Sequence, residues 1–280
     1  MLITNRILLI QFVILHLKIE KMLFNLSTGQ SLGIILLFFF GHWYLSLFFQ
    51  SFFYHRYSAH RQFTMNKFWE RVFFFLGYVF QGSSYLNIKG YTVMHRLHHS
   101  HTDTPEDPHS PSHQKSIWAM MLRTRDIYCD LNKDRRHDID DHYYKDIPSW
   151  DLIDNFGDTY ISRVFWGTLY LVFYILFAKW WMFVLLPIHF LMGPFHGAII
   201  NWFAHKVGYS NYRMRNTSTN IMNWDVLMWG EGLHNNHHRK PYSANFAQKW
   251  FELDPMYPII KIFHWLHIIR LKPVIVGSSK

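Results

Sequence analysis

The chain has 280 residues, of which 50% are hydrophobic and 19% aromatic, with 28 Lys and Arg against 19 Asp and Glu. That length suits one domain, or one membrane-embedded body with a polar cap, and the single Cys129 excludes an internal disulfide or a thiolate metal cluster. The net charge of +9 is dispersed and accompanies no nucleic-acid-binding motif, so no nucleic-acid partner is expected.

Residues 1–31 contain "RILLIQFVILHL", too short to cross a bilayer with confidence and flanked by Arg6, Lys18 and Lys21. No small-residue cleavage site follows, which argues against a signal peptide. Either this segment is a half-buried interfacial helix or Met22 is the native start; the second reading is preferred. Residues 33–53 carry no formal charge and are long enough to span. Residues 72–94 are apolar but interrupted by Gln81, Ser83, Ser84, Asn87 and Lys89, and read as an interfacial or re-entrant helix. Residues 164–178 and 180–203, split by Lys179, read as a tight helical hairpin of two spans. Its first arm is short, roughly 23 Å at 1.5 Å per residue, which tilt or snorkelling by Lys179 can absorb.

Basic residues fix the orientation. Arg56, Arg61, Lys67 and Arg71 follow the first span, a second set runs from Lys115 to Arg163, and a third follows His205. The hairpin turn holds only Lys179, so the basic segments belong on the cytoplasmic side. The expected architecture is an all-α integral membrane protein: about three spanning helices, one interfacial helix and a cytoplasmic helical cap.

The chain holds 20 histidines, and their spacing is not random. His55 and His60 give H-x4-H after the first span. His95, His98 and His99 give H-x2-H-H, as do His234, His237 and His238. His205 ends the last span, with Asn201 four residues before it. Positions i, i+3 and i+4 share a helix face, so each H-x2-H-H can aim three imidazoles at one region. Five residues advance about 140° on a regular helix, so a helix end or distortion is expected between His55 and His60. If 72–94 does not cross, all nine imidazoles lie on the cytoplasmic side. Nine nitrogens exceed what one zinc takes and suit two divalent ions. Iron is chosen on chemistry: a site facing lipid tails suggests work on an unactivated hydrocarbon, which needs O2 activation.

With "FFYHRYSAHRQF", "MHRLHHSHTDTPEDPHSP", "NWFAHKVGY" and "WGEGLHNNHHRKP" in this order, the sequence resembles the membrane fatty-acid desaturases, specifically the Δ9 acyl-CoA desaturase-like branch in its shorter bacterial form. The likeness runs from about residue 35 to residue 270 and implies a single desaturase domain over residues 1–280. It implies a non-haem di-iron centre that uses O2 and two electrons to introduce a cis double bond into a saturated acyl chain. One iron would draw on His55, His60, His95 and His99, the other on His98, His205, His234, His237 and His238, with Asn201 reaching an iron through water. Asp103, Asp107, Glu231 and Asn235 are candidate supports for the rings.

His101, His109, His113, His137, His142 and His189 match no box and are read as non-ligands; loss of His109 or His113 is expected to leave activity nearly intact. His196 is read as a buried polar residue and His42 as a packing residue. The resemblance further implies a fatty acyl-CoA substrate, and an external electron donor: a ferredoxin or small cytochrome with its NAD(P)H reductase, since no fused haem-domain HPGG signature is present. The active site would face the cytoplasm from a bacterial inner membrane. Val93 and Met94 stand where CoA-using relatives often carry charge, so lipid or carrier-protein esters follow CoA as candidates. A di-iron membrane hydroxylase is the runner-up activity; a divalent-metal transporter, disfavoured by nearly charge-free spans, comes last.

Overall fold

The computed structural model describes residues 25–273. The expectations for residues 1–24 lie outside it. Helix α1 spans Thr28–Phe49 and continues without a break as a π-helical turn over Gln50–Ala59. It starts five residues before the expected span of 33–53 because Ser27 and Gln30 form a reciprocal cap, Ser27 Oγ accepting from Gln30 N at 3.3 Å and Gln30 Oε1 from Ser27 N at 2.9 Å.

Residues 67–101 form two helices rather than the single one expected over 72–94. Helix α2 spans Lys67–Gln81, a 3-10 turn occupies Gly82–Ser84, and α3 spans Ile88–His101. The break falls at Gly82, where φ is 52° and a side chain would collide with Tyr170 Oη. Asn87 then caps α3, its side chain accepting from Lys89 N and Gly90 N. Helix α2 is amphipathic: it buries Phe73, Phe74 and Tyr78 and exposes Phe68 and Phe75.

The cap is completed by α4 (Ile117–Asn132) and α5 (Asp151–Gly157). Helix α6 (Tyr160–Phe177) matches the first hairpin arm. The second arm is broken: a 3-10 segment over Trp180–Leu185, α7 (Leu186–Phe190), α8 (Met192–Ala198) and a π-helical turn over Ile199–Phe203. Its two halves meet at 70°. Pro194 lacks the N–H that would bond the Phe190 carbonyl, which explains a break there. The described residues therefore hold two helices long and apolar enough to cross a membrane, or three if the bent pair is one span. The protein is an integral membrane protein.

Two helices follow His205: α9 (His234–Arg239), which carries His234, His237 and His238, and α10 (Met256–Trp265). Strands β1 (Phe63–Met65) and β2 (Ile269–Leu271) pair antiparallel, Thr64 opposite Arg270, and tie the chain's end to the segment after His60. One aromatic core joins α1, α2 and α10 through Phe49, Phe52, Phe73, Phe74, Met256 and Ile260. It holds the C-terminal end of α1 rigid where the first histidines emerge.

Candidate metal centre

The π-helical turn at the end of α1 is the distortion that H-x4-H spacing requires. His60 N donates to His55 O at 3.0 Å, a five-residue step that brings both rings to one side. The turn's last carbonyls lack helical partners. Arg96, on α3, supplies them, donating to Ser58 O at 2.9 Å and Ala59 O at 3.1 Å. Ser58 and Thr92 hydroxyls add a contact at 2.5 Å. The helix carrying His95, His98 and His99 is thereby pinned to the one carrying His55 and His60.

The nine histidines fall into two groups. His55, His60, His95, His99 and His237 bring one ring nitrogen each to within 4.8 Å of the others, and His98, His205, His234 and His238 do the same. His237 therefore leaves the set in which the sequence placed it. It faces His55 Nε2 at 3.0 Å and His99 Nε2 at 2.9 Å. On α9 its neighbours His234 and His238, four apart, stay together at 3.0 Å. The stacked rings of His99 and His238, centroids 4.3 Å apart, form the partition between the groups.

The rear nitrogens show why these contacts are not ordinary hydrogen bonds. His55 Nδ1 lies 2.6 Å from Glu231. His98 Nδ1 lies 2.9 Å from both Asp107 oxygens. His205 Nδ1 lies 3.5 Å from Asp103 and 3.3 Å from Thr217 Oγ1. A carboxylate behind Nδ1 holds the ring proton there and leaves Nε2 with a bare lone pair. Bare Nε2 atoms aimed at each other repel unless a cation sits among them. This donor set fits two borderline-soft divalent metals and is richer in imidazole than a structural zinc site.

Protonation behaviour agrees. Burial first, then neighbouring imidazoles, pushes His60, His95, His99, His234, His237 and His238 well below the usual histidine value. Neutral rings are what a metal needs. Burial acts to raise Asp103, Asp107 and Glu231, but contacts with His205, His98 and His55 respectively outweigh it and keep these carboxyls below their ordinary range.

A family model described as "Fatty acid desaturase" matches residues 30–263. The chain belongs to that family. A sn-1 stearoyl-lipid 9-desaturase of Synechocystis sp. is 30% identical over 238 residues, covering 81% of this chain and 69% of that protein. An enzyme of the same name from Anabaena variabilis is 26% identical, covering 76% of this chain and 74% of its own length. An acyl-CoA 5-desaturase of Anemone leveillei is 27% identical, covering 76% of this chain and 63% of that protein.

Other parts of the desaturase depart from the sequence reading. Asn235 supports no ring; it holds the chain leading into α9, accepting from Asn211 N at 2.9 Å and Tyr212 N at 2.8 Å. Asn201 lies on the π-helical turn before His205, its amide nitrogen 3.9 Å from where a side chain at Gly197 would begin. His113 is exposed, but His109 is not: it is 3% exposed, its ring centroid lies 4.3 Å from that of His98, and its N–H donates to Asp107 at 3.0 Å. Burial, then the charge of His98, lowers its pKa to about 3. His98, Asp107 and His109 also group closely enough to hold an ion. The oxygens of Asp107 are already engaged by His98 and the backbone of Asp103 and His109, so this trio reads as support behind His98. Sequence reasoning missed Arg56, which is fully buried beside His55 and pairs with Asp254 at 2.9 Å. Its neighbourhood in the H-x4-H box was the available signal. His42 and His189 meet inside the spans, Nδ1 to Nδ1, at 2.7 Å.

Proposed function

We propose that the chain desaturates a saturated fatty acyl chain at a non-haem di-iron centre, with an acyl-CoA and the Δ9 position as first reading. The observation that carries it is the convergence of nine imidazoles, with carboxylates behind three of them, in two adjoining groups. His55, His60, His95, His99 and His237 would hold one iron; His98, His205, His234 and His238 would hold the other, with Asn201 acting through water. When bound, two irons would supply O2 activation: two hydrogens from the acyl chain, with two electrons from the external donor and two protons, would reduce O2 to two waters.

The chain's own residues do the rest. Glu231, Asp107 and Asp103 fix ring tautomers and orientation. Burial of His55, His98, His205, His234 and His237 excludes water from the reacting region. An apolar cluster of Leu47, Ile200, Ala204 and Met228 lies beside His205 and two turns before His55, and is where methylenes are proposed to rest. One domain, a bacterial inner membrane, a cytoplasmic site and a separate ferredoxin or cytochrome donor complete the reading.

An acyl-lipid substrate is the second reading, favoured by one observation. Val93 is 0% exposed and packs with Met94 and Leu97 against Tyr128 and Leu131, so this stretch offers no contact to a CoA phosphate. The test is expression in a desaturase-deficient host, with mass-spectrometric location of the new double bond and separate assays on acyl-CoA and on lipid. A cis-alkene is expected. An alcohol would make the chain a hydroxylase, and metal uptake without O2 consumption would return it to transport.

A further inference from the structure

The break in the last span leaves backbone groups without helical partners inside the apolar bundle. Pro194 has no N–H for the Phe190 carbonyl. The kink at Leu191, whose φ is −122° and ψ 27°, separates the His189 carbonyl from Gly193 N. No bulk water reaches such groups in a bilayer, so the protein must satisfy them itself.

It does so with the turn between α2 and α3. Ser83 Oγ–H is shared between His189 O at 3.4 Å and Phe190 O at 3.3 Å. Ser84 Oγ accepts from Gly193 N at 3.1 Å and donates to Gln81 O at 2.9 Å. Gly193 permits this approach: a side chain there would begin 3.3 Å from Ser84 O. The same point is fixed from two other sides. Arg163 donates to Ser83 O at 3.0 Å and Tyr85 O at 3.1 Å. The His189 ring is held between His42 Nδ1 at 2.7 Å and Tyr174 Oη at 3.0 Å.

We propose that Ser83 and Ser84 are positioning residues, joining the turn before α3 to the break in the last span and so fixing His95, His98 and His99 relative to Asn201 and His205. This rests on the di-iron desaturase reading. The three residues Tyr85, Leu86 and Asn87 and the first seven residues of α3 separate Ser84 from His95, and the rest of α8 with the π-helical segment separates Gly193 from His205. A shift at the junction is therefore carried to both metal groups, because the intervening helices are packed and stiff. Reacting atoms displaced by about 1 Å can lose on the order of a hundredfold in rate.

The test uses the full-length protein in nanodiscs. Ser83→Ala, alone and with Ser84→Ala, is compared with Ser83→Thr, which keeps the hydroxyl, and with Leu186→Ala, which removes apolar packing from the same bundle but no hydrogen bond at the junction. Two quantities are read: alkene formed per O2 consumed at saturating iron, and Fe(II) affinity of the metal-free protein. The serine-to-alanine variants are expected to lose about tenfold in alkene per O2 and to bind Fe(II) more weakly. Ser83→Thr should restore both, whereas Pro194→Ala in the Ser83→Ala background should not, since it returns an N–H to the Phe190 carbonyl without rejoining the turn before α3; full rescue by Pro194→Ala would overturn the inference. Leu186→Ala should lower thermal stability and leave the alkene-to-O2 ratio near wild type. An unchanged ratio and affinity in Ser83→Ala, or an equal loss in Leu186→Ala, overturns the inference. A wild-type protein that makes no alkene overturns instead the reading beneath it.

Discussion

Arg56 is a fully buried charge, and replacing its partner with Asp254→Asn isolates what it does. Arg56 is 0% exposed. Its guanidinium donates to Asp254 at 2.9 and 3.1 Å, to Ala244 O at 2.6 Å and to Trp229 O at 3.3 Å, and lies 3.8 Å over the Phe246 ring. Removing one partner of a buried pair costs about 3–5 kcal/mol, because the other charge is left desolvated. Two carbonyls and Glu231, 3.8 Å from Arg56 Nε, remain here, so the lower end, about 3 kcal/mol, applies. For a chain of this size that is a fall of about 6–12 °C in melting temperature. A second effect follows from the neighbour. Glu231 is the remaining carboxylate near Arg56 and also supports His55 at 2.6 Å. Drawn toward the uncompensated guanidinium, it releases His55, and the five-histidine group loses iron before the four-histidine group does. Thermal unfolding in detergent and Mössbauer spectra of iron-57-loaded protein measure the two effects. Adding Arg56→Met should cost less than the sum of the single changes, as a coupled pair requires. A melting shift below about 2 °C, less than 1 kcal/mol, or equal iron loss from both groups, would refute the reasoning.

Three further outcomes are expected. Glu231→Gln should weaken Fe(II) binding at the five-histidine group, and Asp107→Asn at the four-histidine group, each by about 10–100-fold; chelator competition on metal-free protein reads this, and effects on the opposite groups would count against the rear-support argument. His237→Ala should alter the spectrum of the five-histidine iron and His238→Ala that of the other; the reverse pattern would restore His237 to the set with His98. Asp225, buried and accepting from Gly232 N and Met228 N, has its pKa pushed up to about 7 by burial. Its folded form thus holds a proton that the unfolded form has lost, so its contribution to stability is complete below about pH 4 and is lost as pH rises through about 7. Asp225→Asn should flatten melting temperature against pH across that window by the slope of one proton, about 1.4 kcal/mol per pH unit; identical slopes in variant and wild type would show that Asp225 does not titrate there.

The histidine boxes were legible because their information is local. An i, i+3, i+4 pattern fixes which rings share a helix face whatever lies elsewhere in the chain. The same rule also contains most of the grouping. On α3 the i, i+4 pair His95 and His99 goes to one group and the ring between them, His98, to the other. On α9 the pair His234 and His238 stays together and His237 crosses over. Each helix thus lends a pair to one group and a single ring to the other, and the two helices do so in opposite senses. That exchange gives the two groups a shared wall, so one cannot move without the other. The apolar length of residues 180–203 was legible, but the 70° break within it was not, because the backbone groups it frees are met by Ser83 and Ser84 from a distant turn. Arg56 hid for a related reason: its partner lies 198 residues away, and an arginine beside a membrane span looks cytoplasmic until the fold places Asp254 and Phe246 around it. Local periodicity therefore determined which imidazoles can face one another, and long-range polar contacts determined how rigidly they are held there.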